Sequence, residues 1–475
     1  MSAINDPQSK LRTYLPLAVF LYGLFAAAVF AFVFYGRQSV MEANVDLNGF
    51  GQLARNIASG EGFTLGQGPT TRRAPLFPYV AAALLTVFGD VSNANVPEAE
   101  LYRPLLVANC IYFGLTCLVI WRLGRKLFGP RAALLAVAIA PLVPQSLRYV
   151  GMTEVETLMG LFIALLALTG VNLANRPSPK SGIAFGAVAA LATLTKPVVM
   201  LYPFAFLPVA AFFWWRRRTP PATAALAAGA VLVCFGLLLL PWSLRNAQVT
   251  QGKFRGISSN GSGEFLRGYI NAQPKYYLLR QDFGGTGPGE KWDPEANLYE
   301  EAFLKSHGLI FYRYGRVAGG HLTMEPKPPA GTTSAMIELE KDHVEDAEMK
   351  RRILHEPGAF LAKFAAQLGT FWYIVETRNK SLFVGSIALV MLVFAGLGVA
   401  HAVRRRMEVW PVVLVLLYSN AIYAAFLALA RYSMPLYPTI AVLSAGGALW
   451  LADRLFGRRL LDAPEPSEAA VIAPR

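Results

Sequence analysis

A chain of 475 residues that is 54% hydrophobic and only 16% charged carries too many uninterrupted apolar runs for a soluble core of its size, and its mean hydropathy is +0.40. It reads as a polytopic membrane protein. The formal net charge of +14 does not point to nucleic acid, because the basic residues sit in short clusters beside apolar runs, as the positive-inside rule places them. Cys110, Cys117 and Cys234 all fall inside apolar runs, which gives neither a disulfide framework nor metal-ligand spacing.

The first apolar run, Tyr14 to Tyr35, is longer than a signal-peptide core and no small-residue cleavage pattern follows it, so it is expected to remain as a first span. Residues 36–100 then form a large first outer loop. Leu53 and Ile57 predict a short interfacial helix there, ended by Gly60 and Gly62. The stretch from Ala74 to Gly89 would reach only about 24 Å as a helix, short of the roughly 30 Å hydrocarbon core, and carries Pro75 and Pro78 near its start. It is expected to lie on the outer face as a re-entrant or juxtamembrane helix. Further spans are expected at 101–121, 132–150, 155–174, 181–196, 198–215, 222–242, 382–401, 409–429 and 433–452, ten in all with the first. With a cytoplasmic N-terminus, alternation places Arg122 to Arg131, Arg176/Lys180, Arg216 to Arg218, Arg404 to Arg406 and Arg454 to Arg459 on the cytoplasmic side.

Residues 243–381 make the one sizeable hydrophilic block. It is glycine-rich in FGGTGPG, then helical in pattern across SAMIELEKDHVEDAEMKRRIL, with Pro357 as stop and restart. A second amphipathic piece, Phe360, Phe364, Leu368 and Phe371 with Lys363 in its middle, is expected on the membrane surface. The tail from Asp462 reads as disordered. The expected architecture is therefore all-α and polytopic, with about ten transmembrane helices, outer-face juxtamembrane helices and a small α-rich periplasmic insertion. Its parts are an N-terminal transmembrane module (1–242), the insertion (243–381), C-terminal spans (382–453) and a cytoplasmic tail (454–475).

On this topology Asp46, Arg72, Arg73, Arg148, Glu154, Lys196, Arg245 and Arg431 gather at the outer ends of the spans. Ionisable groups so near a bilayer are costly and tend to be functional. The plainer alternative is that they snorkel to headgroups or pair with one another, as Glu154 and Arg148 could. Cations around two carboxylates suit transfer of a group from a phosphate: the cations neutralise the departing phosphate and a carboxylate takes the proton of the incoming nucleophile. Nucleotide sugars are absent outside the cytoplasm, so an outward-facing transferase needs a membrane-borne donor such as a polyprenyl phosphate sugar. His321, His343, His355 and His401 lack ligand spacing, and FGGTGPG lacks the strand–loop–helix context of a phosphate loop.

The motifs VDLNGFGQLARNIASGEGF, PTTRRAPLFPYVAAALLTVFGD, GMTEVETLM, LATLTKPVVMLYP, PWSLRNAQVTQGKF, HEPGAFLAKF and ARYSMPLYP occur in an order that resembles the GT-C membrane glycosyltransferases of family 39. That family includes protein O-mannosyltransferases and lipid A aminoarabinose transferases. The resemblance implies Asp46 as general base, and Arg72 or Arg73, with Lys196, Arg245 or Arg431, as holders of the donor phosphate. It implies for Glu154 a role in orienting the acceptor or holding a divalent metal, which leaves metal dependence open. It further implies an inverting transfer from a polyprenyl-phosphate-linked sugar to a lipid, glycan or protein acceptor, at the periplasmic face of a bacterial inner membrane. Asp46 lacks the second acid found in eukaryotic mannosyltransferases, Phe50 stands where many relatives have Tyr, and Lys196 where many have Arg, exchanging a two-pronged phosphate contact for a point charge. Two rival readings are a transporter of lipid-linked saccharides and a non-catalytic relative acting as an assembly subunit. Paired halves and mid-membrane charges, the marks of a transporter, are not seen in the sequence.

Overall fold

The computed structural model describes residues 7–34, 48–89, 91, 101–272, 294–310, 312–316, 322–375 and 377–457. Asp46, the FGGTGPG stretch and the tail from Asp462 lie outside the described residues. Helix α1 (Pro7–Ala28) runs on through a π-helical turn at Val29–Phe34. In the first loop follow α2 (Phe50–Ala58) and α3 (Leu76–Phe88). Helices α4 (Arg103–Phe128), α5 (Pro130–Ile139), α6 (Glu156–Asn175), α7 (Pro179–Thr195), α8 (Tyr202–Arg216) and α9 (Pro221–Val249) complete the N-terminal module. The insertion contains α10 (Gly261–Asn271), α11 (Pro294–Ser306), strands β1 (Arg313–Arg316) and β2 (Leu322–Glu325), α12 (Ser334–His355) and α13 (Pro357–Thr370). Helices α14 (Arg378–Arg404), α15 (Trp410–Ala425) and α16 (Tyr437–Phe456) end the described chain.

Every expected span has a helix, but among the described residues only 7 helical stretches are long and apolar enough to cross a bilayer: Tyr14–Val33, Arg103–Phe128, Glu156–Asn175, Pro197–Arg216, Pro221–Val249, Arg378–Arg404 and Ala430–Phe456. The expected span 132–150 breaks at Pro141 and Pro144 into α5, a 3-10 turn at Ala140–Leu142 and a four-residue helix at Pro144–Leu147, because proline removes a helical donor and clashes with the preceding turn. Helix α7, with 17 residues, stops at Lys196 before Pro197, and α15, with 16, stops at Ala425. These ends lie opposite the basic connectors, and they leave irregular backbone where polar side chains collect. Such backbone is tolerated at membrane depth only where protein or a water-filled cavity covers it. Helix α3, with 13 residues, reaches about 20 Å and buries Ala81, Ala82 and Leu85 with Ala54 of α2 and Leu105 of α4.

The bundle is packed through α14 on α16, α7 on α9, α1 on α4 and α4 on α6. Small residues permit these approaches. A Cβ at Gly186 of α7 would lie 2.6 Å from the Val231 carbonyl of α9, so any larger residue there separates the two helices.

The insertion departs from an all-α pattern by one antiparallel hairpin, with Arg313 opposite Glu325 and Arg316 opposite Leu322. Helix α12 ends at His355 and α13 restarts at Pro357, as the proline predicts. The start of α12 is bonded to the first loop: Ser334 N–H donates to Gln67 O at 2.9 Å, and Ser334 Oγ to Leu65 O at 2.6 Å. Glu338 accepts from Thr70 Oγ1 at 2.6 Å and from Thr71 N–H at 2.8 Å. Helix α13 turns its polar face to the protein, burying Lys363, Gln367 and Thr370 while Leu361 and Leu368 stay exposed; Phe371, just past its end, is buried. Lys363 Nζ donates to Ala425 O at 2.6 Å and Phe426 O at 2.8 Å, closing the C-terminal end of α15. Burial pushes its ammonium down to about 7.

Candidate active site

A cavity of about 370 Å³ opens where the first loop, the broken ends of α7 and α15 and the start of α10 meet. Arg72, Arg73, Lys196 and Arg431 line it, and among the described lining residues Glu264 is the one carboxylate. Val198, Met200, Leu201, Ile422, Phe426 and Leu427 supply an apolar wall.

The first loop contributes through Asn48 and Arg73. Gly49, at φ 75°, turns the chain sharply into α2, a conformation that costs a residue without Cβ little. Arg73 donates through Nε to Asn48 O and through a terminal nitrogen to Asn48 Oδ1, both at 3.1 Å. Its guanidinium lies 5.3 Å over the Phe50 ring, which is itself braced edge-on by Phe77 at 5.5 Å. Burial, and then the neighbouring Arg72, push Arg73 down to about 10, which leaves it charged at neutral pH.

Asn48 Nδ2 donates to Glu154 Oε1 at 2.7 Å, and the other oxygen of Glu154 accepts from Arg431 at 2.7 Å. Arg431 also donates through Nε to Glu156 Oε1 at 2.6 Å, and that oxygen lies 3.5 Å from Lys196 Nζ. Lys196 stands 4.4 Å over Tyr432 and 5.5 Å over Tyr423, whose rings stack at 4.6 Å. Arg73, Asn48, Glu154, Arg431, Glu156 and Lys196 therefore form one continuous chain of polar contacts. Glu154 and Glu156 are 0% and 2% exposed, so charges this deep require their partners. Arg431 is held rigid by two carboxylates, with its guanidinium still facing the cavity.

Of the residues expected from the sequence, Arg72, Arg73, Lys196 and Arg431 line this cavity, with Glu154 directly behind Arg431. Arg245 lies outside the lining. It donates to Thr70 O at 2.7 Å and Phe63 O at 3.1 Å and stacks 4.7 Å over Trp242, so it braces the loop that carries the two arginines. Glu156 and Glu264 were not singled out from sequence. Glu156 carries a signal, the E-x-E spacing inside GMTEVETLM and its place in the first turn of α6, where the helix dipole favours a carboxylate. Glu264, which accepts from Asn260 at 3.1 Å, carries none. Among the described residues, no three or more His, Cys, Asp or Glu side chains come together as a metal site would require.

Residues 72–242 match the family model described as dolichyl-phosphate-mannose-protein mannosyltransferase. No curated protein matches the chain. Among solved structures, the fold is similar to the oligosaccharyltransferase AglB of Archaeoglobus fulgidus in complex with an inhibitory peptide and a dolichol-phosphate. That match has a TM-score of 0.53 at 14% identity, over 97% of this chain and 54% of that one. The apo form of the same enzyme matches with the same TM-score, 0.53. The chain thus spans about half the length of that oligosaccharyltransferase. ArnT of Cupriavidus metallidurans bound to undecaprenyl phosphate also matches, at 15% identity over 93% of this chain and 78% of that one, with a TM-score of 0.36. The chain therefore has the fold of that oligosaccharyltransferase, and the family match over residues 72–242 agrees with the resemblance that its motifs suggested.

Proposed function

We propose that this chain is a membrane glycosyltransferase that takes a sugar from a polyprenyl-phosphate-linked donor and passes it to a lipid, glycan or protein acceptor at the periplasmic face of a bacterial inner membrane. One observation carries the reading: a cavity lined by four cations together with apolar side chains, which matches a lipid phosphate in both its parts. Arg73, Arg431 and Lys196, with Arg72 at the rim, would hold the phosphate. Glu154 and Glu156 act as positioning residues that fix Arg431 before substrate arrives, so that little reorganisation is needed as charge develops. Val198, Leu201 and Phe426 would receive the first isoprene units.

In the transfer, the acceptor oxygen or nitrogen bonds to the anomeric carbon as the bond from that carbon to the phosphate oxygen breaks. The electron pair leaves with the phosphate, onto the cationic wall, and the proton of the nucleophile passes to Asp46. Direct displacement of this kind inverts the anomeric centre. Both oxygens of Glu154 are engaged by Asn48 and Arg431, which favours Asp46 over Glu154 as the base.

The test uses full-length protein in lipid nanodiscs, a panel of radiolabelled polyprenyl phosphate sugars and membrane extract as acceptor source. The expected result is transfer by wild type, with a rate at least 100-fold lower in Asp46→Asn and an unchanged affinity for undecaprenyl phosphate. Transfer at the wild-type rate by Asp46→Asn removes the base assignment. Absence of transfer for every donor, combined with donor movement between leaflets, favours the transporter reading instead.

A further inference from the structure

A second cavity, of about 230 Å³, lies on the insertion side of the first, and Arg72 and Asn260 line both. Its other walls come from α12, through Glu340, Lys341 and Glu345, and from the segment after α11, through Leu309, Ile310 and Tyr312. Apart from Arg72, the donor phosphate site uses none of its lining. It adjoins the proposed phosphate site through Arg72, and is smaller than the roughly 300 Å³ at which drug-sized pockets begin, which leaves room for a single compact unit.

Its chemistry is mixed. Two cations, Arg72 and Lys341, face three carboxyl groups, but Glu338 is engaged by Thr70 and Thr71, and Lys341 is in contact with Glu300. No single sign of charge dominates, so neither a phosphate nor a polyamine is favoured. Glu345 is 2% exposed, its Oε1 accepts no hydrogen bond, and its nearest cation, Lys341 Nζ, is 3.8 Å away. A buried carboxyl group in that position is short of a partner. Burial first, then Glu300 and Asp342, push it up to about 8, which makes it a neutral acid at pH 7, able both to donate and to accept. Tyr312 and the exposed Ile310 supply flat and apolar surface beside these polar groups.

We propose that this second cavity is the acceptor subsite, and that it takes a neutral, hydroxyl-rich unit of the acceptor, such as a saccharide ring, whose hydroxyl groups pair with Glu345, Glu340 and Asn260 while its C–H face lies against Tyr312. The proposal rests on the glycosyltransferase reading. A hydroxyl on the bound unit would then reach across Arg72 and Asn260 toward the anomeric carbon of the donor, where it displaces the phosphate and gives its proton to Asp46.

Saturation-transfer NMR on the full-length protein in nanodiscs tests it, with N-acetylglucosamine and methyl α-mannoside as neutral probes and spermidine and inorganic phosphate as charged ones. The expected result is transfer to at least one saccharide, lowered at least fivefold in Tyr312→Ala and in Glu345→Leu and retained in Lys196→Ala. Undecaprenyl phosphate affinity should change less than twofold in the first two variants. Tyr312 is only partly buried, so its variant carries the test if Glu345→Leu fails to fold. The proposal is overturned if no saccharide signal appears, if the signal depends on Lys196 and not on Tyr312, or if only spermidine or phosphate gives a Tyr312-dependent signal. Failure of wild type to bind undecaprenyl phosphate, by contrast, sinks the donor reading itself.

Discussion

The two ends of the bundle carry the same residue types and use them differently. At the end with the basic connectors, Arg404, Arg405 and Arg406 are exposed, and Arg404 stacks loosely at 5.8 Å on Trp450. At the other end Arg431 is held by two buried carboxylates, and Arg73 is bonded twice to one asparagine. The first set reports orientation in a membrane, through a statistical excess of charge that no single residue determines. The second set is one coupled unit, because each member is desolvated and depends on the others. Counting cations identifies the first; only burial and pairing identify the second.

Removing the hub should separate the ends most sharply. Arg431→Ala leaves Glu154 and Glu156 buried without their main cation, an arrangement that costs about 3–5 kcal/mol. The variant should lose undecaprenyl phosphate binding by at least 100-fold and unfold at a markedly lower temperature; thermal unfolding and equilibrium binding check both. Arg431→Lys keeps the charge but cannot bridge both carboxylates, so it should fall between wild type and Ala.

Lys196 is a smaller case, since Glu156 retains Arg431 when it is gone. Lys196→Ala should weaken undecaprenyl phosphate about tenfold, equivalent to about 1.4 kcal/mol, with little change in thermal stability. Lys196→Arg should restore binding to within a few-fold, and no recovery would mean that Lys196 acts through Tyr423 and Tyr432 rather than on the phosphate.

Glu345 offers a pH-dependent contrast inside the insertion. Its carboxyl group is pushed up from 4.5 to about 8, so between those values the folded chain holds a proton that the unfolded chain has released. Stability therefore falls as pH rises across that window. Glu345→Gln should match wild type near pH 4.5 and be more stable at pH 8.5, by on the order of 1–3 kcal/mol; a gain equal at both pH values would contradict the burial account. The smallest effect belongs to the basic end, where Arg405→Ala should alter stability by less than about 0.5 kcal/mol and leave lipid phosphate binding unchanged.

Much of this architecture was legible because it is written locally. Apolar run lengths marked the spans, Pro357 marked the break between α12 and α13, and the end positions of Arg73, Lys196 and Arg431 marked one face of the bundle. What was not legible depends on contacts between distant parts. Arg431 meets Glu156 across 275 residues, a pairing that no local pattern encodes. Arg245 looks like its neighbours in sequence yet turns to the carbonyls of Phe63 and Thr70. The short lengths of α7 and α15 follow from where their ends must open around the cavity, which hydropathy alone does not show.

The most direct measurement is photolabelling of the full-length protein in nanodiscs with a photoreactive undecaprenyl phosphate, mapped by mass spectrometry. Labels are expected on Val198 to Leu201 and on Ile422 to Leu427, competed by unlabelled undecaprenyl phosphate and lost in Arg431→Ala. Labels confined to lipid-facing residues such as Leu237 and Leu244, indifferent to Arg431, would contradict the donor reading.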